Sequence, residues 1–277
     1  MIRLVISLIY LIQSCISDRS LKMASSGLNY FIDPGMPTRL FQDYIQSFPH
    51  LINAVKFGWA TSLATPDIVA KINTLNSANI PFWFGGSLFE LAYQNNQFDD
   101  WLAWIERFNC KYVEISDGII NIPHEEKLRI ISLLSKKYSV LSEVGSKDVN
   151  KVMSPRQWIF FVKQELLTGA TRVILEGRES GKAGIYRTNG ELRRGLLQEI
   201  SEAGVPIDSL IYEAPLKFQQ VELLKTVGPG VNLSNLRLQD AVNIYTLRYG
   251  LRNDTVELQE KVTDIFEFNR EFFQEPV

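Results

Sequence analysis

One pattern constrains this chain more than any other. Short apolar runs recur along it, and many of them close on a charged residue at the same place. Val55-Lys56-Phe57-Gly58-Trp59, Val113-Glu114-Ile115-Ser116-Asp117-Gly118, Ser142-Glu143-Val144-Gly145-Ser146-Lys147, Ile174-Leu175-Glu176-Gly177-Arg178 and Tyr212-Glu213-Ala214-Pro215 all share it. Runs of this length and β-branched or aromatic content read as buried strands. Unpaired buried charge is expensive, so a core has no use for such endings. Repetition argues for one shared site at the strand ends.

Eight strand-like runs are predicted, at 28–33, 54–59, 80–84, 111–115, 138–143, 171–176, 209–213 and 229–233. Helical periodicity fills the seven gaps and follows the last strand, as in Phe98–Phe108, Pro123–Tyr138, Pro155–Thr168 and Gln239–Gly250. Pro123 and Pro155 suit helix starts, and Gly169 and Gly204 suit helix ends. Serial strand–helix units of 20 to 38 residues predict a single α/β domain, a (β/α)8 TIM-type barrel over residues 23–277. From about residue 255 an extra C-terminal helix is expected, with Val256, Val262, Ile265, Phe266 and Phe272 on its apolar side. An open doubly wound sheet is the rival; it accounts less well for eight units and for so many charged strand ends.

Residues 1–22 stand outside this pattern. Arg3 and the apolar run Leu4–Ile12 have the outline of a signal peptide, but the run is too short to span a bilayer and the cleavage region is poor. Met23 follows directly, and the segment is read as an extension from an upstream start. Net charge is -2 with no basic stripe, which argues against nucleic acid as a partner. No membrane partner is expected. Two distant cysteines, Cys15 and Cys110, fit a reduced cytoplasmic setting, and two histidines are too few for a zinc cluster. His50 and His124 read as ordinary solvated residues, and Arg248 and Arg252 as salt-bridge residues.

In a barrel the charged strand ends fall on the C-terminal rim, where barrel active sites lie. Glu114, Glu143, Glu176 and Glu213 would come from strands four to seven. Neighbouring strands are roughly 5 Å apart, close enough for these carboxylates to converge. Such a group repels itself unless a cation joins it. The sequence offers Lys56, Lys147 and Arg178, and the oxygen-rich set suits Mg²⁺.

The strings VKFGWATS (55–62), GGSLFELAY (85–93), VEISDG (113–118), SEVGSK (142–147), EGRESGK (176–182), YEAP (212–215), VNLSN (231–235) and LRYGLRNDT (247–255) together resemble the phosphosulfolactate synthase family. The resemblance runs from about Phe31 to Thr255. It implies addition of sulfite to phosphoenolpyruvate, a carbon–sulfur lyase activity that depends on Mg²⁺. Sulfite attack at C3 pushes electrons onto the substrate carboxylate, and protonation at C2 completes the addition. On that reading Glu143 and Glu176 ligate the metal, with Glu114 and Asp117 next in line. Lys147 donates the proton, and Lys56 and Arg178 clamp oxyanions. Gly85, Gly86, Ser180, Gly181, Ala214, Gln219, Asn232, Ser234 and Asn235 are substrate-binding candidates, by motif or by position after strands seven and eight. Each has a bland rival, since buried Lys–Glu pairs and glycine strand exits are also purely structural features. One departure is visible: the family tends to read Asp-Lys-Gly at the first strand, and here it is Asp33-Pro34-Gly35. The broader group includes plant heat-stress-associated relatives, so a repurposed, non-catalytic barrel is the second function class. Aromatics on the outer helices leave self-association into a homo-oligomer open.

Overall fold

The structure is a computed structural model and describes residues 27–146 and 152–259. Eight strands form one parallel sheet: β1 (Asn29–Asp33), β2 (Ala54–Phe57), β3 (Phe82–Phe84), β4 (Tyr112–Ile115), β5 (Ser139–Val144), β6 (Arg172–Leu175), β7 (Leu210–Glu213) and β8 (Leu233–Arg237). Their spatial order is β3-β2-β1-β8-β7-β6-β5-β4. Pairing of β1 with β8 curls the sheet on itself and rules out the doubly wound alternative. The edges, β3 and β4, meet without a backbone ladder. The Trp83 indole donates to Glu114 Oε2 (2.7 Å) and the Gly86 N–H to Glu114 Oε1 (2.6 Å), so one carboxylate bridges the seam.

The helices alternate with the strands: α1 (Thr38–Ser47), α2 (Ile68–Ser77), α3 (Gly86–Gln94), α4 (Phe98–Arg107), α5 (His124–Leu134), α6 (Pro155–Thr168), α7 (Arg194–Glu202), α8 (Lys217–Thr226) and α9 (Ala241–Arg248). Two of them, α3 and α4, share the β3–β4 crossover. The start of α6 shows why its boundary was legible. Ser154 Oγ accepts the Gln157 N–H (3.3 Å), Gln157 Oε1 accepts the Ser154 N–H (3.0 Å), and Pro155 occupies the first turn. Gly169 ends the helix at φ 124°, a conformation that costs other residues dearly. No helix among the described residues is long and apolar enough to cross a membrane.

Side-chain alternation along the strands builds two cores. Phe31, Val55, Val113, Val140 and Val173 face the helices and pack against Ile45, Leu75, Ile105, Ile131 and Val162. Tyr30, Ala54, Trp83, Leu141, Ile174 and Ile211 fill the barrel interior. Each fully buried side chain of this size stabilises the fold by about 1.5–3 kcal/mol relative to exposure.

Strand eight lies four residues later than the sequence suggests. Pro229 and Gly230 belong to a turn closed by the Val231 N–H donating to the Gly228 carbonyl (3.1 Å), and the strand begins only at Leu233. Asn232 therefore sits at the foot of the barrel, not at its rim. Its Oδ1 accepts the Leu28 N–H (3.0 Å) and its amide donates to the Leu210 carbonyl (2.9 Å). Arg248 also works at the foot. It donates to the Val231 carbonyl (2.8 Å) and to Asn29 Oδ1 (2.7 Å), and also to the Pro229 carbonyl, rather than to any carboxylate, and burial pushes its pKa down to about 10. The expected C-terminal helix and residues 1–22 lie outside the described residues, apart from a short 3-10 segment, Asn253–Leu258, in which Val256 is exposed.

Candidate active site

The interior apolar layer is followed, two residues further along several strands, by a charged one. Ala54 leads to Lys56, Tyr112 to Glu114, Leu141 to Glu143, Ile174 to Glu176 and Ile211 to Glu213. A strand repeats its side-chain direction every second residue, so all five point inward above the Trp83 layer. All are nearly fully buried. They line a cleft of about 250 Å³ at the C-terminal ends of the strands.

Carboxylate oxygens of Glu143, Glu176 and Glu213 lie within 4.8 Å of one another. Main-chain donors fix two of these side chains. The Gly177 and Arg178 N–H groups donate to Glu213 Oε2 (both 3.1 Å), and the Arg178 N–H also reaches Glu176 Oε1 (2.5 Å). Arg178 can aim its N–H at both because its backbone is left-handed, at φ 59°. Gly184 buttresses the same strand end. A Cβ there would fall 1.8 Å from the Glu176 carbonyl oxygen, so no larger residue fits.

Lys56 sits across from this group, 3.2 Å from Glu213 and 3.6 Å from Glu114. Burial alone would lower its pKa; Glu114, Glu213 and Glu143 outweigh burial and hold it above the ordinary lysine value. Burial pushes the Glu114 carboxyl up, and Glu143 adds to this, against Lys56 and the Gly86 and Trp83 donors.

The remaining sequence candidates divide clearly. Arg178, Gly85 and Asn235 line the cleft. Asn235 does so at a register shift where β8 passes β1, with φ 58°; such bulges redirect side chains beside functional sites. Its buried Oδ1, like the Ser234 hydroxyl, has no hydrogen-bond partner among the described residues. Gly86 serves the seam through its N–H, and its missing Cβ leaves room for the Ser116 hydroxyl. Gln219 is fully buried behind the rim, where its amide ties the Gly181 carbonyl (2.9 Å). Ser180, on the same turn, is exposed, and Ala214 donates its N–H to the Ser234 carbonyl (2.9 Å). Asp117 stays out of the carboxylate group. Glu90 accepts Ser116 Oγ (2.5 Å) and the Ile119 N–H (2.6 Å), and this loop carries Asp117 to Lys127 instead (3.0 Å). Lys147 lies outside the described residues.

Sequence reasoning placed Glu213 on the rim but gave it no role; its phase, two residues after Ile211, matches that of Glu143 and Glu176 and is the signal that finds it. Ser87, Trp59 and Glu179 also line the cleft and carried no such signal. At Asp33-Pro34-Gly35, Asp33 works as a turn anchor. It accepts the Gly35 and Met36 N–H groups (2.9 and 2.7 Å) and pairs with Lys71 (2.6 Å).

Comparison with known proteins bears on the fold and the family. Solved barrels share the fold only: 3-hexulose-6-phosphate synthase from Salmonella typhimurium (TM-score 0.53, 9% identity, 84% of this chain and 100% of that one) and the YdjI aldolase from Escherichia coli K12 (TM-score 0.52, 14% identity, 87% and 86%). Sequence similarity is far higher to the phosphosulfolactate synthase of Bacillus subtilis, 39% identical over 239 residues covering 86% of this chain and 95% of that protein. The phosphosulfolactate synthase of Methanocaldococcus jannaschii is 38% identical over 235 residues, covering 83% and 93%. Residues 17–254 match the family described as (2R)-phospho-3-sulfolactate synthase (ComA), and the chain belongs to that family of enzymes.

Proposed function

We propose that this protein is a carbon–sulfur lyase of the cytoplasm that adds sulfite to phosphoenolpyruvate, giving (2R)-O-phospho-3-sulfolactate with the help of Mg²⁺. The observation that carries the reading is the convergence of Glu143, Glu176 and Glu213 on one point of the barrel rim. Three hard carboxylate oxygens suit Mg²⁺, and a dication there would offset their mutual repulsion. When bound, the ion would act as a Lewis acid towards the substrate carboxylate. The relatives named phosphosulfolactate synthase support the substrate pair.

The chain's own residues have distinct tasks on this reading. The sulfur lone pair of sulfite forms the new bond at C3, the C2–C3 π electrons move towards the carboxylate, and C2 takes a proton. Lys56, kept charged by its carboxylate neighbours, supplies positive charge inside the cleft. Arg178 at the cleft lining offers a planar fork to an oxyanion. Asn235 brings a buried amide whose oxygen is still available. Lys147, four residues beyond Glu143, is assigned the proton at C2.

Incubation of the purified protein with phosphoenolpyruvate, sulfite and Mg²⁺ tests the proposal. Phosphosulfolactate should form, and should require both sulfite and the metal. Intact, folded protein that binds Mg²⁺ and yields no product would sink the reading and favour the repurposed barrel.

A further inference from the structure

We propose that the protein carries a second, separate anion site that takes a small phosphate dianion. It is a recess of about 220 Å³ between the start of α6 and the loop that follows β6. Met153, Trp158 and Tyr186 form its walls, and Lys182, Arg187 and Arg193 supply its charge. Among the described residues no Asp or Glu contributes to the lining. That is unusual in a chain whose net charge is -2, so the positive spot reflects local placement and not general basicity.

Arg193 is built in. It donates Nη1 to the Gly184 carbonyl and Nη2 to the Met153 carbonyl, each at 3.1 Å. These two bonds lock the guanidinium plane and leave other N–H donors for a ligand. Burial first, and the nearby Arg187 second, lower the Arg193 pKa. Like charges gathered at one recess repel one another, and a bound dianion would relieve that cost. Arginine forks match the geometry of phosphate oxygens. The volume accommodates an ion of this size together with water. The recess is separate from the carboxylate cleft, sharing no lining residue with it. The two adjoin at the strand ends, where the Ile185 N–H donates to the Glu176 carbonyl (2.9 Å) and the Tyr186 hydroxyl to the Glu213 carbonyl (2.7 Å).

Calorimetric titration with inorganic phosphate tests the site, using the full chain with Arg178→Gln so that the cleft's own fork is silent. Phosphate should bind this variant. Adding Lys182→Gln and Arg187→Gln should weaken that binding by about tenfold or more, the loss expected for two charge-assisted contacts at a partly exposed site. Both positions are solvent-exposed, and an unchanged circular dichroism spectrum confirms the fold. No detectable phosphate binding, or equal binding with and without the two changes, would overturn the proposal. The source of the phosphate follows from Lys182→Gln/Arg187→Gln in the otherwise native chain. A raised KM for phosphoenolpyruvate at constant kcat assigns the recess to the substrate's phosphoryl group. An unchanged KM, with phosphate binding lost, assigns it to free phosphate. Binding is read without turnover, so its failure is distinct from failure of the sulfite-addition reading.

Discussion

Glu213 illustrates what single residues reveal. It accepts two main-chain N–H groups and a lysine while standing beside Glu143 and Glu176. Replacement of Glu143 or Glu176 by Gln keeps shape and removes ligand charge. Mg²⁺ should then bind more weakly, with activity partly restored by excess metal. Unchanged metal dependence in both variants would remove them from the ligand set. Glu213→Gln should lose metal affinity as well, and should also lower the melting temperature, because Lys56 loses its 3.2 Å ion pair. A Glu213→Gln enzyme with wild-type metal affinity and melting would contradict the cluster. Lys147→Met, which would remove the proposed proton donor, should cut turnover by at least roughly 100-fold, the lower range for a lost general acid, while phosphoenolpyruvate still binds. Near-normal turnover would end the catalytic assignment.

Elements were legible where pattern and boundary signals agree. Seven of the strands fall within two residues of their expected starts, because apolar runs and turn residues coincide there. β8 escaped because Val231 reads as strand while the preceding Pro229-Gly230 turn holds it outside, and Asn232 was carried to the wrong end with it. The second helix between β3 and β4 also escaped, since GGSLFELAY and the run from Phe98 read as one crossover. Pairing between the helices was not readable. Lys127, on α5, is fully buried, bonded to Glu165 on α6 (2.9 Å), to Asp117 (3.0 Å) and to the Glu143 carbonyl (2.6 Å). Burial would lower its pKa, but Glu165 and Asp117 hold it above the ordinary value. Lys127→Met should cost about 3–5 kcal/mol, the scale for leaving a buried charge without its partner. Denaturant unfolding checks this; a loss under about 1 kcal/mol, the scale of an exposed pair, would show that the network is no more than surface-like.

At the scale of the whole molecule, the barrel explains why scattered motifs serve one site. Strand ends 33 or more residues apart in sequence, such as Glu143, Glu176 and Glu213, become neighbours only when β5, β6 and β7 pair. The fold class was readable from repetition alone, whereas the choice of which three carboxylates share a point depended on loop paths such as the one that leads Asp117 to Lys127. Every catalytic candidate lies beyond residue 22, so a chain beginning at Met23 should fold and keep full activity. Loss of either, measured by melting and turnover, would give the first 22 residues a role in folding or activity. The central claim is that the three-carboxylate rim holds the metal that drives sulfite addition. Phosphorus NMR of phosphoenolpyruvate with sulfite, recorded across a Mg²⁺ titration for the wild type and Glu176→Gln, tests it most directly. The account predicts conversion to phosphosulfolactate by the wild type, none without metal, and a Glu176→Gln curve displaced to higher Mg²⁺. Conversion that proceeds in chelator, or superimposable curves for the two proteins, would contradict it.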